Sequence, residues 1–184
     1  MYGLVNQAIR EFVIGKFGDE VWERIHTRAG VTDPHFLPDK SYDDQLTYGL
    51  VGSVAEELGV TVPKALEVFG SYWVTFVDSQ GFGALLNSNG RTFRDFLENL
   101  DQFHSRLATA YPRFCPPDFE FSEDDNGEIE LIYKSDRSGL SPMMIGIIKG
   151  LAKRYETEIE MTSELGDNEA TFRISIIGQT ANAV

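Results

Sequence analysis

The sequence predicts an α+β fold: an N-terminal helical lobe, then a lobe in which a four-stranded antiparallel sheet packs with helices. Three observations predict it. Apolar residues recur at helical spacing up to about Tyr111. From Pro116 onward, DFEFSEDDNGEIELIYKS and TEIEMTSELGDNEATFRISII each read as a hairpin. Between them LSPMMIGIIKGLAKRY reads as a helix, so the second half runs strand, strand, helix, strand, strand.

The elements follow in order. Leu4, Val5, Ala8, Ile9, Phe12 and Val13 keep the helical period, and Gly15 and Gly18 act as stop signals. A second helix covers about Asp19 to Ala29 and ends at Gly30. Pro34 and Pro38 punctuate a loop, VTDPHFLPDKSYDD. Helices are expected over Asp43–Leu58 and Val62–Val77. Thr92 and Asp95 form a capping-box pair that opens one helix from Thr92 to Tyr111, and Pro112 ends it. The hairpins turn at Asn126-Gly127 and near Gly166-Asp167, and the closing residues 178–184 are expected to fray. Gly146 and Gly150, four apart on the last helix, permit close packing on the sheet or on a bound group.

Composition narrows the function. The length suits one domain, or one with two lobes, and 42% hydrophobic residues can supply a core. Sixteen basic against 29 acidic residues leave a net charge of -13, which disfavours nucleic acid and anionic lipid as partners. One cysteine, Cys115, allows no disulfide within the chain, which fits a reducing cytosol. The N-terminus lacks the pattern of a signal peptide, and no run of about 18 apolar residues is present.

His104 is the first candidate for chemistry. It lies on the stripe of Phe93, Phe96, Leu97, Leu100, Phe103, Leu107 and Tyr111, four residues after Leu100. A helix can hold one ring nitrogen at a fixed point in a dry pocket, with the other nitrogen tied to a neighbour, as an axial metal or haem ligand requires. A core histidine satisfied by a backbone carbonyl is the commoner case, and the helix by itself does not separate the two. The second candidate is Tyr133, Ser135 and Arg137. On a strand these would share a face, presenting two hydroxyls and a guanidinium in a row. That array suits two carboxylates held apart, such as haem propionates, although a solvated strand end would look the same.

Together these stretches resemble a known family. A helix histidine, Pro116-Pro117 and then Tyr133-x-Ser135-x-Arg137 are similar to the haem-nitric oxide/oxygen binding domain, H-NOX, the haem module of soluble guanylate cyclase. The resemblance covers nearly the whole chain. It takes in MYGLVNQAI, Tyr72-Trp73-Val74-Thr75-Phe76, Tyr111-Pro112 and Gly139-Leu140-x-Pro142-Met143-x-x-Gly146.

The resemblance implies a single domain over 1–184. A distal helical lobe would span about 1–60, a haem-bearing proximal lobe about 61–177, and a flexible tail 178–184. It implies haem b as cofactor, with His104 as iron ligand and Tyr133, Ser135 and Arg137 on the propionates. Pro117 would press on the porphyrin. Val5, Ile9, Trp73 and Met143 would line the distal pocket. Oxygen-binding members carry a tyrosine where Met143 stands. The implied function is a cytoplasmic, bacterial sensor of nitric oxide and carbon monoxide, not an enzyme, signalling in trans to a histidine kinase or a cyclic-di-GMP enzyme.

Other readings carry less. A haem enzyme such as a peroxidase would need a distal acid-base pair, which the sequence does not offer. A module binding an apolar ligand or a protein, without haem, also fits the fold. C-type attachment is excluded by the single cysteine. Cys115 is read as a half-buried thiol beside Pro117, His26 as a helix-edge residue, and His35 as an exposed loop residue.

Overall fold

The computed structural model describes residues 1–111 and 113–179, so Pro112 and the segment 180–184 lie outside the described residues. The α+β class is observed. The chain forms two compact units, Met1–Phe69 and a second from Gly70 onward.

The first unit contains α1 (Gly3–Phe17), α2 (Asp19–Arg28), α3 (Asp44–Leu58) and the opening turns of α4 (Val62–Val77). α1 buries Ala8, Ile9, Phe12 and Val13, the face its sequence predicts. Gly18 separates α1 from α2 at φ 88°, a conformation open to glycine at little cost. Asp43 caps α3 by accepting the Gln45 N–H at 2.9 Å. The buried Thr47 hydroxyl donates to Asn6 Oδ1 at 2.7 Å and so clasps α3 to α1. His26 is buried rather than at a helix edge, its Nδ1 3.1 Å from the Val31 carbonyl and its Nε2 3.0 Å from Glu23. His35 is exposed.

The second unit continues α4 into a π-helical turn (Asp78–Phe82) and α5 (Gly83–Ser88), a stretch the apolar pattern left unassigned. Then follow α6 (Phe93–Glu98), α7 (Leu100–Ala110), β1 (Asp118–Glu123), β2 (Ile129–Lys134), α8 (Ser141–Arg154), β3 (Thr157–Leu165) and β4 (Glu169–Gln179). The sheet is antiparallel in the order β1-β2-β4-β3. Alternation puts Phe119, Ile129, Leu131, Tyr133, Ala170, Phe172 and Ile174 on its buried face. There they join Phe93, Phe96, Leu97, Leu100 and Phe103 of α6 and α7, and Ile148 and Leu151 of α8, in one core.

Three expectations are corrected. The single helix from Thr92 to Tyr111 is two helices, broken at Asn99 (φ −94°, ψ 6°). The Asn99 amide donates to the carbonyls of Asn89 at 3.1 Å and Asp95 at 2.8 Å, the local competition that makes asparagine a poor interior helix residue. The capping box of Thr92 and Asp95 does open α6. Gly146 and Gly150 face α4, not the sheet: Ser71 Oγ donates to the Gly146 carbonyl at 3.0 Å, and a Cβ on Gly150 would meet Val74 at 3.0 Å. Gly178 and Gln179 complete β4 instead of beginning a tail, and the rest of that tail falls outside the described residues.

The tightest α4–α8 approach is at Gly70, where an added Cβ would stand 2.1 Å from the Met143 carbonyl oxygen. Gly70→Ala is expected to cost about 2 kcal/mol, because backbone on both sides must move. A urea melt measures this, and an unchanged midpoint would show that the two helices are free to part there.

Candidate functional site

His104 sits on α7 one turn after Leu100, and its Nδ1 lies 3.0 Å from the Leu100 carbonyl. A carbonyl only accepts, so Nδ1 carries the proton and Nε2 is left with its lone pair. Burial pushes the imidazole pKa down, opposed by the Leu100 hydrogen bond and the charge of Asp101. Burial, the largest of these effects, favours the neutral ring. Among the described residues no group bonds Nε2. The Nδ1 bond is common to a satisfied core histidine and to a ligand, but a neutral ring with an unbonded Nε2 is what a metal needs.

Aromatic rings fix the plane of that imidazole. Phe119 lies nearly parallel to it at 5.3 Å and Phe114 at 6.1 Å, while Phe103 meets it edge-on at 5.6 Å. Asp101, one turn before His104, accepts the Phe119 N–H at 3.1 Å. That bond ties α7 to β1 and sets the Phe119 ring. Phe119 also lies 5.7 Å from the Tyr133 ring, so one aromatic chain joins His104 to the second candidate.

The sequence predicts that strand alternation aligns Tyr133, Ser135 and Arg137. It does not: β2 ends at Lys134, and Ser135 and Arg137 lie in the turn beyond it. The turn gathers them by other means. Ser135 N–H donates to the Asn168 carbonyl at 2.8 Å, the Asn168 amide returns a bond to the Ser135 carbonyl at 2.7 Å, and Arg137 N–H donates to Ser135 Oγ at 3.0 Å. Burial pushes the Tyr133 phenol above its usual range, opposed by its hydrogen bond with Ser135 and the charge of Arg137. Arg137 Nη1 donates to the Cys115 carbonyl at 2.8 Å, which brings the guanidinium to the connector holding Pro116 and Pro117. Pro117 immediately precedes β1, where its fixed φ suits an extended chain. Cys115 is exposed, not half-buried.

The remaining predicted residues lie on α4, α8 and α1. Trp73 is half-buried on α4 with its ring 5.9 Å from Phe76, and Met143 is half-buried near the start of α8. Val5 and Ile9 lie on α1 in the first unit. Among the described residues no group of three or more His, Cys, Asp or Glu could hold a metal ion, and no helix is long and apolar enough to cross a membrane. A bound metal would therefore have to bring most of its own ligands, as a porphyrin does. The sequence reading passed over Asp101 and Phe119. Asp101 is three residues before His104 on one helix face, and Phe119 alternates with Phe121, so both carried a signal. The Arg137–Cys115 bond carried none.

Removing the Ser135 hydroxyl deprives the Arg137 N–H of its acceptor. Ser135→Ala is expected to cost about 1 kcal/mol in a denaturant melt. No loss would mean that the turn is held by Asn168 alone.

Comparison with known proteins places this geometry. The family model described as Haem-NO-binding (HNOB) matches residues 2–163. The chain is 29% identical over 160 residues to soluble guanylate cyclase gcy-31 of Caenorhabditis elegans, covering 86% of this chain and 23% of that one. It is 31% identical over 156 residues to gcy-34 of the same organism, covering 83% and 23%. This chain thus spans about a quarter of the length of those curated relatives. Its fold matches an H-NOX protein from S. oneidensis in the Fe(II)NO ligation state, with TM-score 0.88 and 18% identity over 97% of this chain and all of that one. It also matches an Fe(II) unliganded H-NOX protein from K. algicida, with TM-score 0.85 and 18% identity over 98% of each. The family model spans both the α7 histidine and the turn after β2, and the chain belongs to the Haem-NO-binding (H-NOX) family.

Proposed function

We propose that this chain binds haem b through His104, senses nitric oxide with carbon monoxide as a second ligand, and signals to a separate protein. The observation that carries the proposal is the His104 ring, with Nδ1 bound to the Leu100 carbonyl and Nε2 unbonded among the described residues. Haem would supply an iron able to take a diatomic gas, with His104 as the residue that holds the iron. Tyr133, Ser135 and Arg137 present two hydroxyls and a guanidinium suited to two propionates. Pro117 gives the porphyrin a rigid neighbour. The family resemblance assigns Val5, Ile9, Trp73 and Met143 to the distal pocket. In this reading residues 1–184 act as one domain, with a distal lobe to about residue 60 and a proximal lobe over about 61–177.

The chain's own bonds supply the transmission. With Nε2 engaged, α7 would be fixed at His104; with Nε2 released, α7 would be free to shift, and Asp101 would carry that shift through the Phe119 N–H to β1 and the adjoining Pro117. Two arrangements of α7 against β1 are what a partner reads, a role the family resemblance assigns to a histidine kinase or a cyclic-di-GMP enzyme in the cytoplasm. Enzymatic turnover is not part of the proposal: Met143 and Trp73 make no acid-base pair. The cyclase relatives are matched over only about a quarter of their length.

Loss of the ligand is the direct test. His104→Gly should purify pale and regain a Soret band when imidazole is supplied, and an unchanged ferrous spectrum would remove His104 from the role. Arg137→Ala should keep the ligation spectrum but lose haem about tenfold faster, because a charge-assisted contact is gone. Equal loss rates would remove Arg137.

Gas selectivity follows from Met143. Bound oxygen carries partial negative charge and needs a donor, and a thioether has none to give. The ferrous protein should bind nitric oxide and carbon monoxide and form no stable oxygen complex in air. A stable oxygen spectrum would point to the Trp73 indole N–H as donor.

A further inference from the structure

The sheet has a second face, which the site above does not use. Strand register places Asp118, Lys134 and Glu169 in one row across β1, β2 and β4, and Glu120, Ile132, Thr171 and Glu164 in the next. Ser122, Glu130, Arg173 and Thr162 form the third row, and Glu160 lies opposite Ser175 beyond it. Residues paired across an antiparallel sheet point to the same side. Tyr133, Phe119, Ala170 and Phe172 alternate with these and are buried, so the rows lie on the opposite, solvent side.

That face is unbalanced in charge. Lys134 is bonded to Glu120 at 2.6 Å, and Arg173 is divided between Glu164 at 2.7 Å and Glu130 at 3.2 Å. Asp118 and Glu169 flank Lys134 without a hydrogen bond to it, and with Glu160 they are exposed, so these rows carry six carboxylates against two cations. The face is also concave at one corner. A cleft of about 270 Å³ is lined by Pro116, Asp118, Lys134, Ser135, Asp136, Asn168 and Glu169. Pro116 and Ser135 belong to the connector and the turn of the proposed haem site, so the cleft borders that site from outside.

We propose that the solvent face of the β1-β2-β4-β3 sheet is a docking surface for a partner protein that presents lysine and arginine, one of which enters the cleft beside Pro116 and Ser135. The occupant follows from charge complementarity: a face with six carboxylates and two cations favours a cationic surface. It repels a second copy of this acidic chain, and it repels nucleic acid. The position gives the contact a purpose. β2 carries Tyr133 on its buried side and Lys134 on its solvent side, so a change in the strand that alters one alters the other. The inference names the partner chemistry of the proposed sensor and rests on that reading.

The test uses the full chain loaded with haem and, as probe, a fluorescein-labelled peptide alternating arginine and serine, read by anisotropy. Asp118→Lys, Glu160→Lys and Glu169→Lys together should weaken peptide binding about tenfold. A control carrying Glu11→Lys, Glu20→Lys and Asp39→Lys has the same net charge and should bind as the unmodified chain does. Equal weakening in both would show that net charge alone attracts the peptide and would overturn the proposal, as would no weakening in the first. The milder Asp118→Asn, Glu160→Gln and Glu169→Gln set should weaken binding by a smaller factor, and full-strength binding there would also count against the face. The Soret band, followed in every sample, is expected to be unchanged. Its absence from the unmodified chain would defeat the haem reading, while the peptide comparison would still decide the docking surface.

Discussion

The hydrogen bond between His104 Nδ1 and the Leu100 carbonyl is the constraint from which the rest of the site follows. It assigns the ring proton to one nitrogen and leaves the other as a base. The ring is then held in plane by Phe119 and Phe114, whose positions depend on β1 and on the connector before it. A histidine rotated out of this plane would lose both the Leu100 bond and the stacking. The two interactions are therefore coupled, and their joint loss would exceed either alone.

The same logic links the helix to the sheet. Asp101 binds a backbone N–H of β1, Phe119 touches both His104 and Tyr133, and Arg137 reaches back to the carbonyl of Cys115. Each contact crosses from one element to another, so a displacement of α7 has a defined route into β1 and the turn after β2. Close packing of α4 on α8 through Gly70, Gly146 and Gly150 bounds the other side of this unit, where small residues bring backbones near and leave little slack. A unit with stiff helix contacts on one side and directional polar ties on the other suits switching between discrete arrangements better than gradual deformation.

Charge is arranged with a similar division. Inside the site the polar groups are few and bonded: Tyr133 to Ser135, Ser135 to Arg137, Arg137 to Cys115. The excess of acidic residues that dominates the composition is carried on solvent faces, including that of the sheet. Exposed carboxylates cost little there, whereas an unpaired one beside Tyr133 would be expensive.

By itself the sequence determined the α+β order, because helical and strand periods depend on local spacing that a linear chain displays. It located His104 on an apolar stripe, the capping box at Thr92, and the Tyr133, Ser135 and Arg137 triplet. It did not reveal that Asn99 breaks the predicted helix, since that depends on a side chain reaching carbonyls at Asn89 and Asp95. It misjudged how the triplet is assembled. β2 stops at Lys134, and a turn held by Asn168, 33 residues away, does the gathering. His26 looked peripheral until Val31 and Glu23 closed around it. Gly146 and Gly150 are expected to pack on the sheet or on a bound group, and it is α4 that lies against them. Asn168 and α4 are distant in sequence from the residues they engage and meet them only once the chain has folded back on itself; the partners of Asn99 and His26 are near in sequence, but they are set by local backbone geometry that residue type and spacing do not display.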